Sequence, residues 1–347
     1  MSTRSMRDPT TSAKPEAVRR IVVLRPNHRI GNTLLLTPLM QELEAHFPGA
    51  RVDLVTAGGV ARAIFAHYPS VSMHEFPARS YRHPGRVLRV LLHLRSQRYD
   101  LAIDPTVRSR AGRFLLRIVR ARRRLGYAWG VAAQDRALTD AIDPAGAPTH
   151  HAEVPVYLLR SARLGASALS SAEAASMPAM DIRLSESERA EGVGEMCAVA
   201  GATSGEARVV GLFAHATGEK CLPVEWWQEL IVRVRERQPA VRLVEFVPDD
   251  ARSRLDGLIP GTYTPQLRRL GAKLAATALI VIADGGIMHL ADAAGARVLA
   301  LFNRTSPAQY GPRRSGSRSV LATDLSPTQA AELISALLGA ATPVVDA

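Results

Sequence analysis

Residues 279–302 read LIVIADGGIMHLADAAGARVLALF. The apolar run 279–283 leads into Asp284, Gly285 and Gly286 follow, 287–294 has helical patterning, and 298–302 is apolar again. Strand, glycine turn, helix and strand in so short a span make a βαβ unit, whose strands run parallel. The alternation extends in both directions. Residues 208–214 (RVVGLFA) and 241–247 read as strands, 223–238 and 265–276 as helices, and 326–338 as a final helix. An earlier set repeats it, with strands over 21–25 (IVVLR), 52–56, 71–76 and 101–104 and helices over 32–46, 60–67, 85–97 and 111–120. This spacing predicts an α/β chain of two doubly wound parallel sheets. Residues 166–207, rich in Ala, Ser, Gly and Glu, read as a linker with a short helix from Ser185 to about Ala200. Such sheets bind ligands at the carboxyl ends of their strands, so the expected site is the cleft between the halves.

A length of 347 residues is enough for two cores. No run approaches the roughly 18 apolar residues of a membrane-spanning helix. Residues 1–19 lack the apolar segment of a secretion signal and read as a disordered leader. Cys197 and Cys221 have no C-x-x-C spacing, which predicts no metal site, no disulfide framework and a reducing, cytoplasmic location. The net charge is +12, and between Arg79 and Tyr127 fourteen arginines face only Asp100 and Asp104, so the excess resides there. Arg86, Arg89 and His93 recur at helical spacing, as do Arg113, Arg117 and Arg120. Cationic stripes of this kind suit an anionic glycolipid or the inner-membrane surface, met peripherally. A solvated face in an arginine-biased chain explains them equally. Aromatic residues do not interleave with them, which argues against nucleic acid. Lysine is confined to Lys14, Lys220 and Lys273.

Three motifs carry chemistry. Residues 25–38 (RPNHRIGNTLLLTP) follow the first strand, and Gly31 lets backbone approach a ligand at a helix start. Without G-x-G-x-x-G, a nicotinamide dinucleotide is disfavoured; the plain alternative is a strand-to-helix turn capped by Asn32. Residues 215–227 (HATGEKCLPVEWW) place Thr217, Gly218 and Lys220 after the first strand of the second half, where they suit a diphosphate. Trp226 and Trp227 read as core. In 282–295, the backbone at Gly285 and Gly286 can bind a diphosphate at the helix start, with Asp284 and His289 beside it.

These motifs, in this order, resemble the bacterial ADP-heptose–lipopolysaccharide heptosyltransferases. The matching pieces are IVVLRPNHRIGNTLLLTPLMQEL, RRRLGYA (122–128), GEKCLPVEWWQEL and the block at 279–302, and the likeness spans about Arg20 to Leu338. The resemblance implies the GT-B architecture, two Rossmann-like domains facing across a cleft. It places an acceptor-side domain at 20–165, the linker at 166–207 and a nucleotide-sugar domain at 208–347 that includes the last helix. It implies inverting transfer from a nucleotide sugar, ADP-heptose foremost, to an anionic glycolipid or glycan, with no cofactor and no essential metal. Thr217, Lys220, Asp284, Gly285, Gly286 and His289 would hold the donor. Arg25, Arg29, Arg86 and Arg108 would meet the acceptor.

Four departures bear on activity, one being Pro248-Asp-Asp250 where the family has a Gly-rich turn after the middle strand of the second half. The family's first loop usually has Asp after its glycine, acting as general base; this chain has Asn32, and an amide takes no proton at neutral pH. Gly285 stands where the family has Thr or Ser, and Asn303-Arg-Thr305 where it has Gly-Pro-Thr. Asn32 is then expected to hold the acceptor hydroxyl, while His28, with an ordinary pKa of about 6.5, or Asp104 at the end of a neighbouring strand takes the proton. Two other classes stay open: a sugar-nucleotide 2-epimerase, and a non-catalytic protein that binds nucleotide sugar or glycan.

Overall fold

The computed structural model describes residues 18–77, 79–164, 177–202, 208–216, 218–248 and 252–339. In its first half β1 (Arg20–Leu24) is followed by α1 (Ile30–Leu34), α2 (Thr37–His46), β2 (Arg51–Ala57), α3 (Val60–Ile64), β3 (Val71–Phe76), α4 (Pro84–Ser96) and β4 (Arg98–Ile103). Then come α5 (Arg110–Ile118), β5 (Arg120–Tyr127), α6 (Ala132–Asp135), β6 (Asp140–Ile142) and α7 (Val154–Leu164). After α8 (Glu186–Ala200), the second half runs β7 (Val209–Phe213), α9 (Val224–Arg237), β8 (Arg242–Phe246), β9 (Gly261–Thr262), α10 (Leu267–Ala275) and β10 (Leu279–Ala283). It closes with α11 (Gly286–Ala294), β11 (Val298–Phe302), α12 (Pro307–Tyr310), β12 (Arg318–Leu321) and α13 (Pro327–Gly339).

The strands form two parallel sheets, ordered β3-β2-β1-β4-β5-β6 and β12-β11-β10-β7-β8-β9. Counted from its own first strand, each sheet has the same order, the doubly wound one. Helices cover both faces, so the central strands are apolar throughout: every residue of β10 and β11 is buried. The final helix packs its apolar face on α9, with Ala330, Ile334 and Leu338 against Leu230 and Val234. Trp227 is fully buried, and the Trp226 ring nitrogen donates to the Leu325 carbonyl, as expected of core side chains.

The expected helix over 32–46 is two helices. Pro38 has no N–H to give the Leu34 carbonyl, and the Thr37 hydroxyl takes that acceptor instead at 2.8 Å. Strands β5, β6, β9 and β12 and helix α7 add elements that the apolar runs did not announce. In β5 only the last three residues are buried, and Arg120–Arg124 extends past the core with Arg123 paired to Asp140 at 2.5 Å.

Arg268 of α10 ties the halves together. Its guanidinium donates to Glu188 at 2.5 and 2.7 Å, to the Ala63 carbonyl of α3 at 3.1 Å and to the Ile182 carbonyl at 2.8 Å. Those bonds, then others from the helix cap, hold the Glu188 carboxyl down at about 2 despite partial burial. A carboxylate depressed on folding stabilises above its unfolded pKa, and that contribution is lost as pH falls from about 5 towards 2. Arg268→Met should cost roughly 1–2 kcal/mol at neutral pH, the pair being partly exposed. It should also flatten the acid limb of the stability curve, measured by denaturant unfolding between pH 7 and 3.

Candidate active site

In each sheet the order of crossovers reverses between the first and fourth strands, β1 and β4 in one, β7 and β10 in the other. Ligands bind at such switch points because the loops diverge there and leave a crevice. Arg25 follows β1, Ala214 and His215 follow β7, and Asp284 follows β10. A cavity of about 950 Å³ opens at these ends, with Arg29–Asn32 on one wall and Lys220 and Asp284–Gly286 on the other. Two other hollows, near Val18 and Arg51 and over Leu325 and Leu333, lie at neither switch point.

In the second half a lysine and an uncapped helix start converge on the cavity, an arrangement that suits an anion. Lys220 ends a 3₁₀ turn (Gly218–Lys220), and its Nζ lies 2.5 Å from Asp284 Oδ2. The Thr305 hydroxyl donates to the same oxygen, and Asn303 Nδ2 donates to the Lys220 carbonyl at 3.2 Å. Asp284 is 5% exposed and the Lys220 side chain 29%, so the ammonium is held from behind and offers its outer side to the cavity. Asp284 therefore positions Lys220 and does not cap the helix. No side chain caps α11, which leaves the amides of its first turn turned to the cavity, where a helix N-terminus favours negative charge.

The glycines beside Asp284 differ. A Cβ on Gly285 would meet nothing nearer than 3.9 Å, whereas one on Gly286 would come within 2.2 Å of Ile30 Cγ2. From the other side, a Cβ on Gly31 would lie 2.9 Å from the His289 ring. So α1 and α11 meet glycine to glycine across the cleft. Gly285→Ser should fold normally and add a hydroxyl where the family has one, raising donor affinity by roughly the 0.5–1.5 kcal/mol of one hydrogen bond. Gly286→Ala should cost about 1–3 kcal/mol from overpacking. Calorimetric titration with ADP and thermal melts distinguish the two outcomes.

His289 is 4% exposed, and burial lowers its pKa to about 4, Asp284 only partly opposing. At neutral pH it is an uncharged imidazole, a hydrogen-bonding group beside the anion site and not a second cation. His150 and His151, in the loop after β6, pack behind the cavity wall against Gly311 and Tyr310. His150 Nε2 lies 2.9 Å from the Gly311 carbonyl, and the His151 ring lies 4.6 Å from that of Tyr310, which lines the cavity. Sequence reading missed Tyr310, Thr305 and this histidine pair. The adjacent histidines, and Thr305 keeping the last position of the family's Gly-Pro-Thr, were the available signals, while α12 is a single turn without apolar periodicity.

On the wall formed by the first half, Asn32 is the third residue of α1, half-buried, and its side chain makes no hydrogen bond to another described residue. Arg29, not Asn32, is the N-cap. Arg25 sits close enough to Asp104 and Tyr310 for both to oppose the lowering of its pKa by burial. The other expected residues are spread more widely. His28 is exposed and lies against Gly58, away from the cavity wall. Asp104 is fully buried beneath Gly112, bonded by Thr106 at 2.9 Å and 3.8 Å from Arg113; it does not reach the cleft. Burial raises its carboxyl to about 6. Arg86 and Arg108 are exposed and line no part of this cavity. Arg113 leaves the expected surface stripe, being fully buried between Asp104 and Asp135 with its guanidinium over Trp129. His93 also turns inward, stacked on His74. Thr217 lies outside the described residues.

The fold has close counterparts among solved structures. A glycosyltransferase family 9 protein of Veillonella parvula is 16% identical, covers 94% of this chain and 99% of its own, and superposes with a TM-score of 0.76. E. coli ADP-heptose LPS heptosyltransferase II is 18% identical, with 92% and 98% coverage and a TM-score of 0.68. E. coli heptosyltransferase WaaC, solved with ADP, is 17% identical, with 92% and 99% coverage and a TM-score of 0.69. These matches establish the GT-B fold. No curated protein matches the sequence. The sequence profile of glycosyltransferase family 9 (heptosyltransferase) matches residues 87–334, well over half of the chain, and so takes in β7, β10 and the whole anion site. The chain belongs to glycosyltransferase family 9, the heptosyltransferase family.

Proposed function

We propose that this glycosyltransferase moves heptose or a related sugar from a nucleotide sugar, ADP-heptose foremost, to a lipopolysaccharide-core or other envelope glycan, with inversion and without an essential metal. The observation that carries this reading is Lys220, locked by Asp284 beside the uncapped start of α11. Fixed positive groups there offset the charge that develops on a departing diphosphate. Asn32, across the cavity, holds the acceptor hydroxyl. Arg25 and Arg29 flank it and suit acceptor phosphates. The test is incubation of purified protein with ADP-heptose and a phosphorylated core glycolipid, followed by mass spectrometry and NMR of the anomeric proton. Consumption of donor without acceptor would support an epimerase, and binding without turnover a non-catalytic role. No helix among the described residues is long and apolar enough to cross a membrane.

The acceptor's lipid is met at the surface of α4 and α5. Leu88 and Leu92, one turn apart on α4, are 56% and 58% exposed, and Phe114 of α5 and Tyr81 are exposed near them. Arg86, Arg89, Arg95, Arg110 and Arg117, on the same two helices, are exposed as well. Apolar side chains among cationic ones suit the interface of an anionic bilayer. Binding to vesicles with anionic lipid should fall steeply with salt, as charge is screened over about 8 Å at physiological ionic strength. Leu88→Ser with Leu92→Ser should weaken it at least about tenfold at fixed salt, given roughly 1.5–3 kcal/mol per buried leucine. Equal cosedimentation with neutral and anionic vesicles would count against this face.

A further inference from the structure

Beneath α4, on the face of the first sheet and away from the cleft, three ligating side chains converge. Asp53 comes from β2, His74 from β3 and His93 from α4, and one ligand atom of each lies within 4.8 Å of the others. His74 Nε2 is 3.1 Å from Asp53 Oδ1, and the two imidazoles stack with centroids 4.5 Å apart. Nε2 of both histidines is buried and has no aligned hydrogen bond. His74 Nε2 has only the Asp53 carboxylate beside it and His93 Nε2 has no partner, which requires an explanation, since burying an unmatched polar atom is costly.

The carboxylate is arranged to leave one oxygen for them. Its Oδ2 accepts the Tyr99 hydroxyl at 2.7 Å and faces Arg20 at 3.5 Å. Oδ1 is thereby turned towards His74 and His93. A second shell that fixes one carboxylate oxygen and orients the other is how metal-binding carboxylates are held.

We infer that Asp53, His74 and His93 bind a divalent transition-metal ion, with water completing the shell. Two imidazole nitrogens and one carboxylate oxygen suit zinc or its first-row neighbours and are a poor set for calcium or magnesium, which take oxygen ligands. Bonds of about 2.0–2.2 Å need ligand atoms nearer together than 4.8 Å, and rotation of the two partly exposed rings supplies that closure. Such an ion clips β2, β3 and α4 together beneath the Leu88–Leu92 face. It is separate from catalysis and independent of the substrate assignment.

The experiment uses the full chain, stripped with chelator and titrated with zinc chloride by calorimetry at pH 7.5. Expected are one ion per chain at micromolar affinity or tighter, a Tm higher by several degrees, and visible d–d absorption when cobalt(II) replaces zinc. Asp53→Asn and His93→Gln should each weaken zinc binding at least about tenfold, while ADP affinity stays at the wild-type value. That unchanged affinity shows the variants are folded, and the cobalt spectrum of the wild type needs no variant. Absence of stoichiometric zinc binding by the wild type overturns the proposal. So does binding that survives both substitutions, which would put the ion elsewhere.

Discussion

Lys220→Ala should lower kcat/KM for the nucleotide sugar by roughly 100- to 1,000-fold, at about 1.4 kcal/mol per decade. Loss of one charge-assisted contact to diphosphate accounts for only about 1.5–3 kcal/mol. The remainder comes from Asp284. Almost wholly buried and 2.5 Å from the ammonium in the intact protein, it would be left an unpaired anion facing the phosphates. Removing one member of a buried pair typically costs about 3–5 kcal/mol for that reason. The double variant Lys220→Ala/Asp284→Asn should therefore bind ADP more tightly than Lys220→Ala alone, by about tenfold, a coupling that a double-mutant cycle reads directly. If the single variant binds ADP as the wild type does, Lys220 has no place in the donor site.

Asn32→Asp should raise kcat by about 10²–10⁴, the usual contribution of a general base. The position lines the cavity opposite Lys220 and is only half-buried, so a carboxylate there is solvated enough to ionise. The variant's rate should fall as pH drops through the carboxylate range, a limb absent from the wild type. His28→Ala should change the rate little, because His28 packs outside the cavity against Gly58. A loss of about 10²-fold in His28→Ala would instead make it the base, brought in by movement of its loop. Asp104→Asn should act through stability, since the carboxyl is enclosed with Arg113. If the wild type transfers nothing and Asn32→Asp does, the natural chain is a binding protein on an enzyme's frame.

Much of the architecture was legible in the chain. Runs such as 279–283 and 298–302 are apolar because both faces of a parallel sheet are covered, and that signal survives without context. The arginine-laden β5 broke it, since its first residues project beyond the core. Edge strands of two to four residues, β6, β9 and β12, are too short for any period to show. The anion site was legible because strand, glycine and helix start are contiguous in sequence. The acceptor wall was not. Which way Asp104 points depends on the helix that closes over it, and Tyr310 and His151 meet only when loops far apart in sequence dock. Pro38, plainly visible, should have divided the helix over 32–46.

Where α1 meets α11 the halves approach backbone to backbone, at Gly31 and Gly286, with Ile30 and the His289 ring beside them. At that point no side chain stands between the two helices, so they can slide or part there without withdrawing one. If the halves part along this line, the free energy between an open and a shut form is set by Arg268 and the core packed on either side. A diphosphate gripped only when shut can shift that balance: a 10⁴-fold preference, about 5.5 kcal/mol, converts 1:99 into 99:1. Loss of the diphosphate would let the equilibrium relax, and the pace of that reopening sets a ceiling on turnover.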